Sequence, residues 1–356
     1  MIVIGADTHK SSHSFSAVGE RTGRVEAEKS FGADERGMLR TLRWAKGLGG
    51  ERVWALEDCR HVSGRLERFL VASGERVVRV APKLMGQSRR AERQAGKSDL
   101  IDARAIARAV LKDGVKSFPM AFLDERAMEI RLLADHRADL VAERTRMQSR
   151  LRWHLVELDD AFEATIPAGG LDRRVWLDRV DRRLRRLAQT ARVRVARDEL
   201  RRIRELTRTA TELERELQAL IAAHRPELLA WKGCGTLSAA TLIGRTAGAA
   251  RFASDGHFAR QAGVAPIPAS SGRKNRQRLN RGGDRQLNAA LHRIAVAQGR
   301  CHPPAIAFLA RKQAESKSRI EALRCLKRHL ARHAWQLLRD PHPDREKSLD
   351  DQHQQR

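Results

Sequence analysis

Ile2-Val3-Ile4-Gly5-Ala6-Asp7 is a short apolar run that ends in an acid. Apolar side chains fall on both faces of such a run, so it reads as a strand buried on both sides. His13 to Val18 alternates and reads as its hairpin partner, and Val25 to Phe31 as a third strand. Asp34 can cap a helix running to about Lys46. Val53-Trp54-Ala55-Leu56-Glu57 repeats the opening pattern, apolar and again closed by an acid. A helix over His61 to Ala72 follows, then a strand over Arg76 to Ala81. Pro82 opens a basic stretch, and beyond it a helix runs to about Leu111. Three antiparallel strands followed by alternating helices and strands predict an α/β layer with a mixed sheet.

The bulk composition narrows the function. The chain has 356 residues, enough for two or three domains, and 41% are apolar, so ordinary cores can form. Lys and Arg number 70 against 44 acids, a net charge of +26, which points to a polyanionic partner held through counterion release. No apolar run is long enough to span a bilayer, and the N-terminus reads as a strand, not as a signal peptide. Cys59, Cys234, Cys301 and Cys325 lack metal-ligand spacing, which fits a reducing compartment and argues against zinc. Aromatics are 4% and Tyr is absent. Base stacking on an aromatic platform is therefore a poor account of nucleic-acid binding, and a tyrosine nucleophile is excluded.

From Asp124 the character changes. The charged segment to Leu158 carries Ile130, Leu133, Leu140, Met147, Leu151, Leu155 and Leu158 on one helical stripe, and Pro167-Ala168-Gly169-Gly170 breaks it. A second helical run is expected from about Asp172 to His224. Ile203, Leu206, Ala210, Leu213, Leu217 and Leu220 give it a coiled-coil seam. The two helices form either an antiparallel hairpin, a dimerising arm or a plain bundle. Pro226 starts a third region, where Leu228 to Thr241 reads as helix, glycine turn, helix. Gly233 and Gly235 would let backbone amides approach a phosphate there, as in a helix-hairpin-helix. Phe258 to Gly263 ends a short helix, and another runs from about Arg285 to Gln298.

Two groups of residues carry chemistry. Asp7 and Glu57 end adjacent strands, while Asp99 and Asp102 sit three apart at a helix start, on one face. The helical pair either neutralises nearby arginines or joins the strand-end acids around a cation, since clustered carboxylates repel without one. Hard oxygen ligands suit magnesium, with manganese as the other choice, and such ions could act on both the attacking and the leaving oxygen of a phosphate. Asp58 competes with Glu57, but alternation turns only one of them inward, and Glu57 is favoured. The second group is Ser270-Ser271-Gly272 in a basic loop with Arg273, Lys274, Arg276, Arg278, Arg281 and Arg285. A serine there either attacks phosphate or only binds it.

These residues resemble the insertion-sequence transposases that join a DEDD acidic quartet in a RuvC-like, ribonuclease-H-type domain to a serine-bearing transposase domain. The Piv-type DNA invertases are similar. The resemblance rests on Ile4-Gly5-Ala6-Asp7, Leu56-Glu57, Lys97 to Arg104, Gly233-Cys234-Gly235, and Ala262 to Pro266 through Ser271-Gly272, in the family's order. It implies magnesium on Asp7, Glu57, Asp99 and Asp102, and Ser271 as the residue joined to DNA. It further implies a non-coding bridge RNA guiding recombination between donor and target DNA, and a homodimer that assembles further, with sites shared between chains. The expected domains are a RuvC-like domain over 1–118, a coiled-coil segment over 124–225, a small mainly α serine domain with a helix-hairpin-helix over 226–340, and a disordered tail over 341–356. The expected location is the cytoplasm of a bacterium, on its nucleoid. A junction-resolving nuclease and a non-catalytic nucleic-acid-binding protein are the rival readings.

Overall fold

The computed structural model describes residues 1–57, 60–80, 98–118, 120–121, 124–269, 277–278, 280 and 282–339. Asp58, Cys59, Ser270, Ser271, Gly272, Arg273, Lys274, Arg276, Arg281 and the tail expected over 341–356 lie outside them. The described residues form two compact units, one drawn from 1–124, 247–258 and Arg339, the other from 125–246 and 259–338.

The first unit is built on β1 (Ile2–Thr8), β2 (Ser12–Gly19), β3 (Val25–Gly32), β4 (Arg52–Glu57) and β5 (Val77–Val80). They stand in the order β3-β2-β1-β4-β5. The β1–β2 and β2–β3 pairs are antiparallel, and β1–β4 and β4–β5 are parallel, as the strand pattern predicts. Helix α1 (Glu35–Gly47) starts at Asp34, whose Oδ1 accepts from Gly37 N at 2.9 Å. Ile2, Ile4 and Ala6 pack with Phe15, Trp54, Leu56, Leu66 and Leu70 on the face covered by α1 and α2 (Arg60–Ala72). Val3 packs with Val53, Ala55, Val78 and Val80 against Ile106, Ala107 and Val110 of α3 (Asp99–Asp113) on the other. Burial on both faces is why β1 and β4 are continuously apolar.

Gly5 decides how closely α3 lies on the sheet. A Cβ there would stand 1.9 Å from Ala103 O and 2.7 Å from Ala107 N. Only glycine lets the helix backbone rest directly on β1. Because Ala103 and Ala107 sit over Gly5, the start of α3 lies toward the end of β1 where Asp7 stands.

The second unit is helical. Helix α4 (Glu125–Glu163) is interrupted at Asp159, where φ −170° and ψ 81° leave the helical region. Asp159 Oδ1 accepts from Phe162 N at 3.0 Å and caps the last turns, and its carboxylate also pairs with Arg183. The expected run from Asp172 to His224 is two helices, α5 (Arg174–Arg186) and α6 (Ala191–His224). The break falls where Leu187 turns extended and Thr190 Oγ1 accepts from Val193 N. The α4–α6 packing is antiparallel within one chain: Arg137 meets Glu214 at 2.7 Å and Arg202 meets Glu143 at 2.9 Å. Ile203, Leu206, Ala210 and Leu217 are buried as the seam predicts, with Ile221 in place of Leu220 at its end. On α4, Leu151 and Leu155 are buried, while Leu133, Leu140 and Met147 stay half-buried.

Beyond Pro226 come α7 (Pro226–Ala230), α8 (Thr236–Thr246), α9 (Asp255–Gln261), the two-residue strands β6 (Ile267–Pro268) and β7 (Gln277–Arg278), then α10 (Arg285–Cys301), α11 (Pro303–Ala314) and α12 (Arg319–Leu338). The expected helix, glycine turn, helix over Leu228 to Thr241 is present, with Gly233 at φ +81°. The close approach that Gly233 permits is to α10: a Cβ would meet Gln298 Cγ at 3.1 Å, and Gln298 Nε2 donates to Lys232 O at 2.7 Å.

Candidate active site

In the first unit, Ala6 stands opposite Leu56 in the β1–β4 register, so Asp7 and Glu57 occupy the next step at the same end of neighbouring strands. Alternation puts both on the α3 side, in series with Val3 and with Val53 and Ala55. Asp7 is buried at 7% exposure and Glu57 is half-buried.

Ser98 opens α3 by accepting from Ile101 N at 3.3 Å. Asp99 and Asp102 then fall in the first turn, where the helix dipole also favours acids. Asp102 is buried at 5% exposure and faces the sheet, whereas the Asp99 side chain is 55% exposed at the rim. Arg104, a nearby arginine that could have neutralised the pair, reaches across to Glu28 on β3 at 3.0 Å.

A residue absent from the sequence expectation joins the acids. His9 Nε2 lies 3.2 Å from Asp7 Oδ2 and 3.5 Å from Asp99 Oδ1. One ligand atom each from Asp7, His9 and Asp99 lies within 4.8 Å of the others. Burial raises the Asp7 pKa, as do the Asp102 and Asp99 charges, while His9 pulls it down. A cation would relieve that repulsion, and carboxylate oxygens with one imidazole make a suitable donor set for a divalent ion. Glu57 is not among the three groups whose ligand atoms meet. The signal for His9 was its place two residues after Asp7, the spacing that returns a side chain to the same face of an extended chain.

An imidazole donor makes a prediction about the ion. His9→Ala should weaken manganese binding more than magnesium binding, because nitrogen suits the softer ion better. Isothermal titration of both ions reads the ratio. Equal losses would reduce His9 to a hydrogen-bond partner of Asp7.

In the second unit the flanks of the serine-bearing segment are tied down. Ile267 pairs with Arg278 and Pro268 with Gln277, on either side of residues 270–276. Asn280 Nδ2 donates to Arg260 O at 3.2 Å, and Asn288 Nδ2 donates to Ala262 O at 3.1 Å and Gly263 O at 2.9 Å. Gly283 lies against Gly263, where a Cβ would stand 2.2 Å from the Gly263 nitrogen. Arg278 and Arg285 are exposed, and the space around Gly235 is open.

The first unit is thus a mixed sheet with acids at the ends of two neighbouring parallel strands and at the start of the facing helix, and a helical remainder follows it. Residues 4–159 match the DEDD_Tnp_IS110 family model, described as a transposase, and residues 226–310 match the model of the IS116/IS110/IS902 transposase family. Along both matched spans the chain is similar to transposases of the IS116/IS110/IS902 family, enzymes that cut and rejoin DNA. It is 26% identical to the insertion element IS900 uncharacterized 42 kDa protein of Mycobacterium paratuberculosis, over 94% of this chain and 95% of that one. It is likewise 26% identical to the insertion element IS116 uncharacterized 44.8 kDa protein of Streptomyces clavuligerus, over 95% of each. Among solved structures it is similar to Thermus thermophilus RuvC at 18% identity, covering 32% of this chain and 97% of that one, with a TM-score of 0.27. No helix among the described residues is long and apolar enough to cross a membrane.

Proposed function

We propose that this chain is a transposase that cuts DNA at a divalent-metal centre built on Asp7, Glu57, Asp99 and Asp102, and carries the cut strand on Ser271. The observation that carries this reading is the meeting of Asp7, His9 and Asp99 ligand atoms within 4.8 Å, inside the span of the DEDD family model. Magnesium or manganese bound there would supply positive charge to the oxygens of the scissile phosphate. Buried Asp7 and Asp102 hold the floor of the site, and exposed Asp99 and His9 form its rim.

Ser271 is the proposed nucleophile. Its Oγ bonds to phosphorus, the bond to one deoxyribose oxygen breaks, and the serine proton balances the alkoxide that leaves. The reverse attack by a deoxyribose hydroxyl of another strand restores Ser271 and needs no outside energy, since one phosphodiester replaces another. Arg278 and Arg285, with Arg273, Lys274, Arg276 and Arg281, balance the charge of that step, and Gly235, where an added Cβ would meet no atom within 4 Å, offers a backbone contact to a neighbouring phosphate. The family resemblance around Ser271-Gly272 supports this assignment.

A bridge RNA as guide and a homodimer that assembles further, with acids and serine drawn from different chains, complete the reading. The net charge of +26 supports a second nucleic acid, and the half-buried Leu133, Leu140 and Met147 on α4 support an arm that buries more surface in an assembly. Sequencing RNA that copurifies with the protein tests the guide; a preparation that recombines DNA without RNA would remove it.

The serine is tested by the covalent adduct. Ser271→Ala should form no protein–DNA adduct on a denaturing gel, and Ser270→Ala should form it as the parent does. The reverse result would move the nucleophile by one residue. Cleavage without any adduct in the parent would leave a nuclease that uses water. In mixed dimers of Asp102→Ala and Ser271→Ala chains of different size, shared sites should load DNA on the Asp102→Ala chain alone. No adduct from confirmed, DNA-bound mixed dimers would sink sharing.

A further inference from the structure

In the second unit, α10 and α12 pack against each other and leave a cleft of about 330 Å³. Arg285, Asn288 and His292 line it from α10, and Arg324 and Lys327 from α12; no carboxylate is among its lining residues. Lys327 forms the floor at 7% exposure. A buried lysine is normally paired with an acid. Here its Nζ donates at 2.8 Å to Asn288 Oδ1, a neutral acceptor, and Asn288 is itself fixed by donating to Ala262 O and Gly263 O. An ammonium carries three donors, so this one bond leaves capacity on the cleft side.

The electrostatics point the same way. Burial, with Arg324 beside it, holds Lys327 below the ordinary lysine range, and burial with Lys327 nearby holds His292 below the ordinary histidine range. Positive charge is concentrated here without compensation from the lining. An anion would supply it, and two arginines at the rim favour phosphate, which their planar donors can grip in pairs. Leu323 and Ala289 give the cleft an apolar wall, which suits the sugar that follows a phosphate in a nucleic-acid strand.

We propose that this cleft binds a backbone phosphate of DNA, with Lys327 at its floor and Arg285 and Arg324 at its mouth. The proposal rests on the reading of the chain as an enzyme that acts on DNA. It also gives Asn288 a purpose. That side chain joins Lys327 to the Ala262–Gly263 turn, only seven residues before Ser270, so a phosphate on Lys327 sets the register of DNA against the serine-bearing segment.

The test is the salt dependence of duplex DNA binding by the full chain. Lys327→Met keeps the volume and removes the charge; Arg324→Gln is exposed and leaves the packing intact. Each should weaken binding and flatten the plot of log affinity against log salt by about one, the loss of a single phosphate contact. Lys327 is too buried to act as a diffuse surface charge, so its slope change reports occupation of the cleft. Should Lys327→Met fail to fold, Arg324→Gln carries the test alone. Unchanged slopes in folded variants would overturn the proposal. So would stabilisation of the parent by inorganic phosphate that Lys327→Met loses while its DNA slope stays unchanged, because the cleft would then take free phosphate. Failure of the unaltered chain to bind DNA at all would instead strike the reading on which the proposal rests.

Discussion

Asp102→Asn is expected to reduce DNA cleavage by about a hundred- to a thousandfold, the scale on which losing one group that stabilises transition-state charge is felt. DNA affinity should stay close to the parent value, because a chain of net charge +26 binds its partner through many contacts away from this side chain. The variant keeps the shape of the acid and removes its charge. Its effect on stability then separates a functional acid from a structural one. Asp102 is among the charges that raise the Asp7 pKa, after burial itself. Without metal, removing that charge should raise the melting temperature, and the rise should vanish when magnesium is added to both proteins.

The sign with pH follows from the same geometry. A carboxyl whose folded pKa lies above its unfolded value binds its proton more tightly in the folded state. Its contribution to stability is therefore present at low pH and falls as pH rises from the ordinary value of 3.8 through the raised folded value. Metal-free protein should lose stability across that window, and Asp102→Asn should lose less. A lower melting temperature for Asp102→Asn without metal would make the residue structural, and full cleavage would remove it from the site.

Much of the first unit was legible because its pattern has a local cause. Strands buried on both faces must be apolar throughout, so β1 and β4 stand out in the chain, and an acid that closes such a run has one place to go. Asp34 and Ser98 announce their helices through the same side-chain cap. What was not legible depends on contacts distant in sequence. His9 offers only its spacing from Asp7, and it is the start of α3 that brings Asp99 to within 3.5 Å of it. Lys327 reads as one basic residue among 70, and only the packing of α12 on α10 buries it against Asn288. The break between α5 and α6 escaped for another reason. Leu187 to Thr190 contains no glycine or proline, and the helix stops there because Thr190 caps the next one and Gln189 Nε2 satisfies the Leu184 and Leu187 carbonyls.

Gly5→Ala should destabilise the first unit by about 1–3 kcal/mol, the usual cost of forcing an extra methyl into a packed interior, and Gly5→Val by more. The new Cβ would meet the backbone of α3, at Ala103 O and Ala107 N, not the flexible end of a side chain. Neither atom can move alone, so the whole helix must lift from β1. Asp99 and Asp102 ride on its first turn, and Asp7 is fixed two residues beyond Gly5 on the strand. Gly5→Ala should therefore lose divalent-ion affinity as well as stability, although every acid is retained. Gly64 provides the control. It lies within α2, and a Cβ there meets only the end of the Arg68 side chain, at 3.4 Å. The same substitution at Gly64 should be neutral or stabilise by up to about 1 kcal/mol, since alanine is the better helix former. Thermal melts of the two variants with metal titrations would read both effects. A Gly5→Ala protein that melts and binds metal like its parent would mean that α3 does not rest on β1, and the acids would then have to be brought together in some other way.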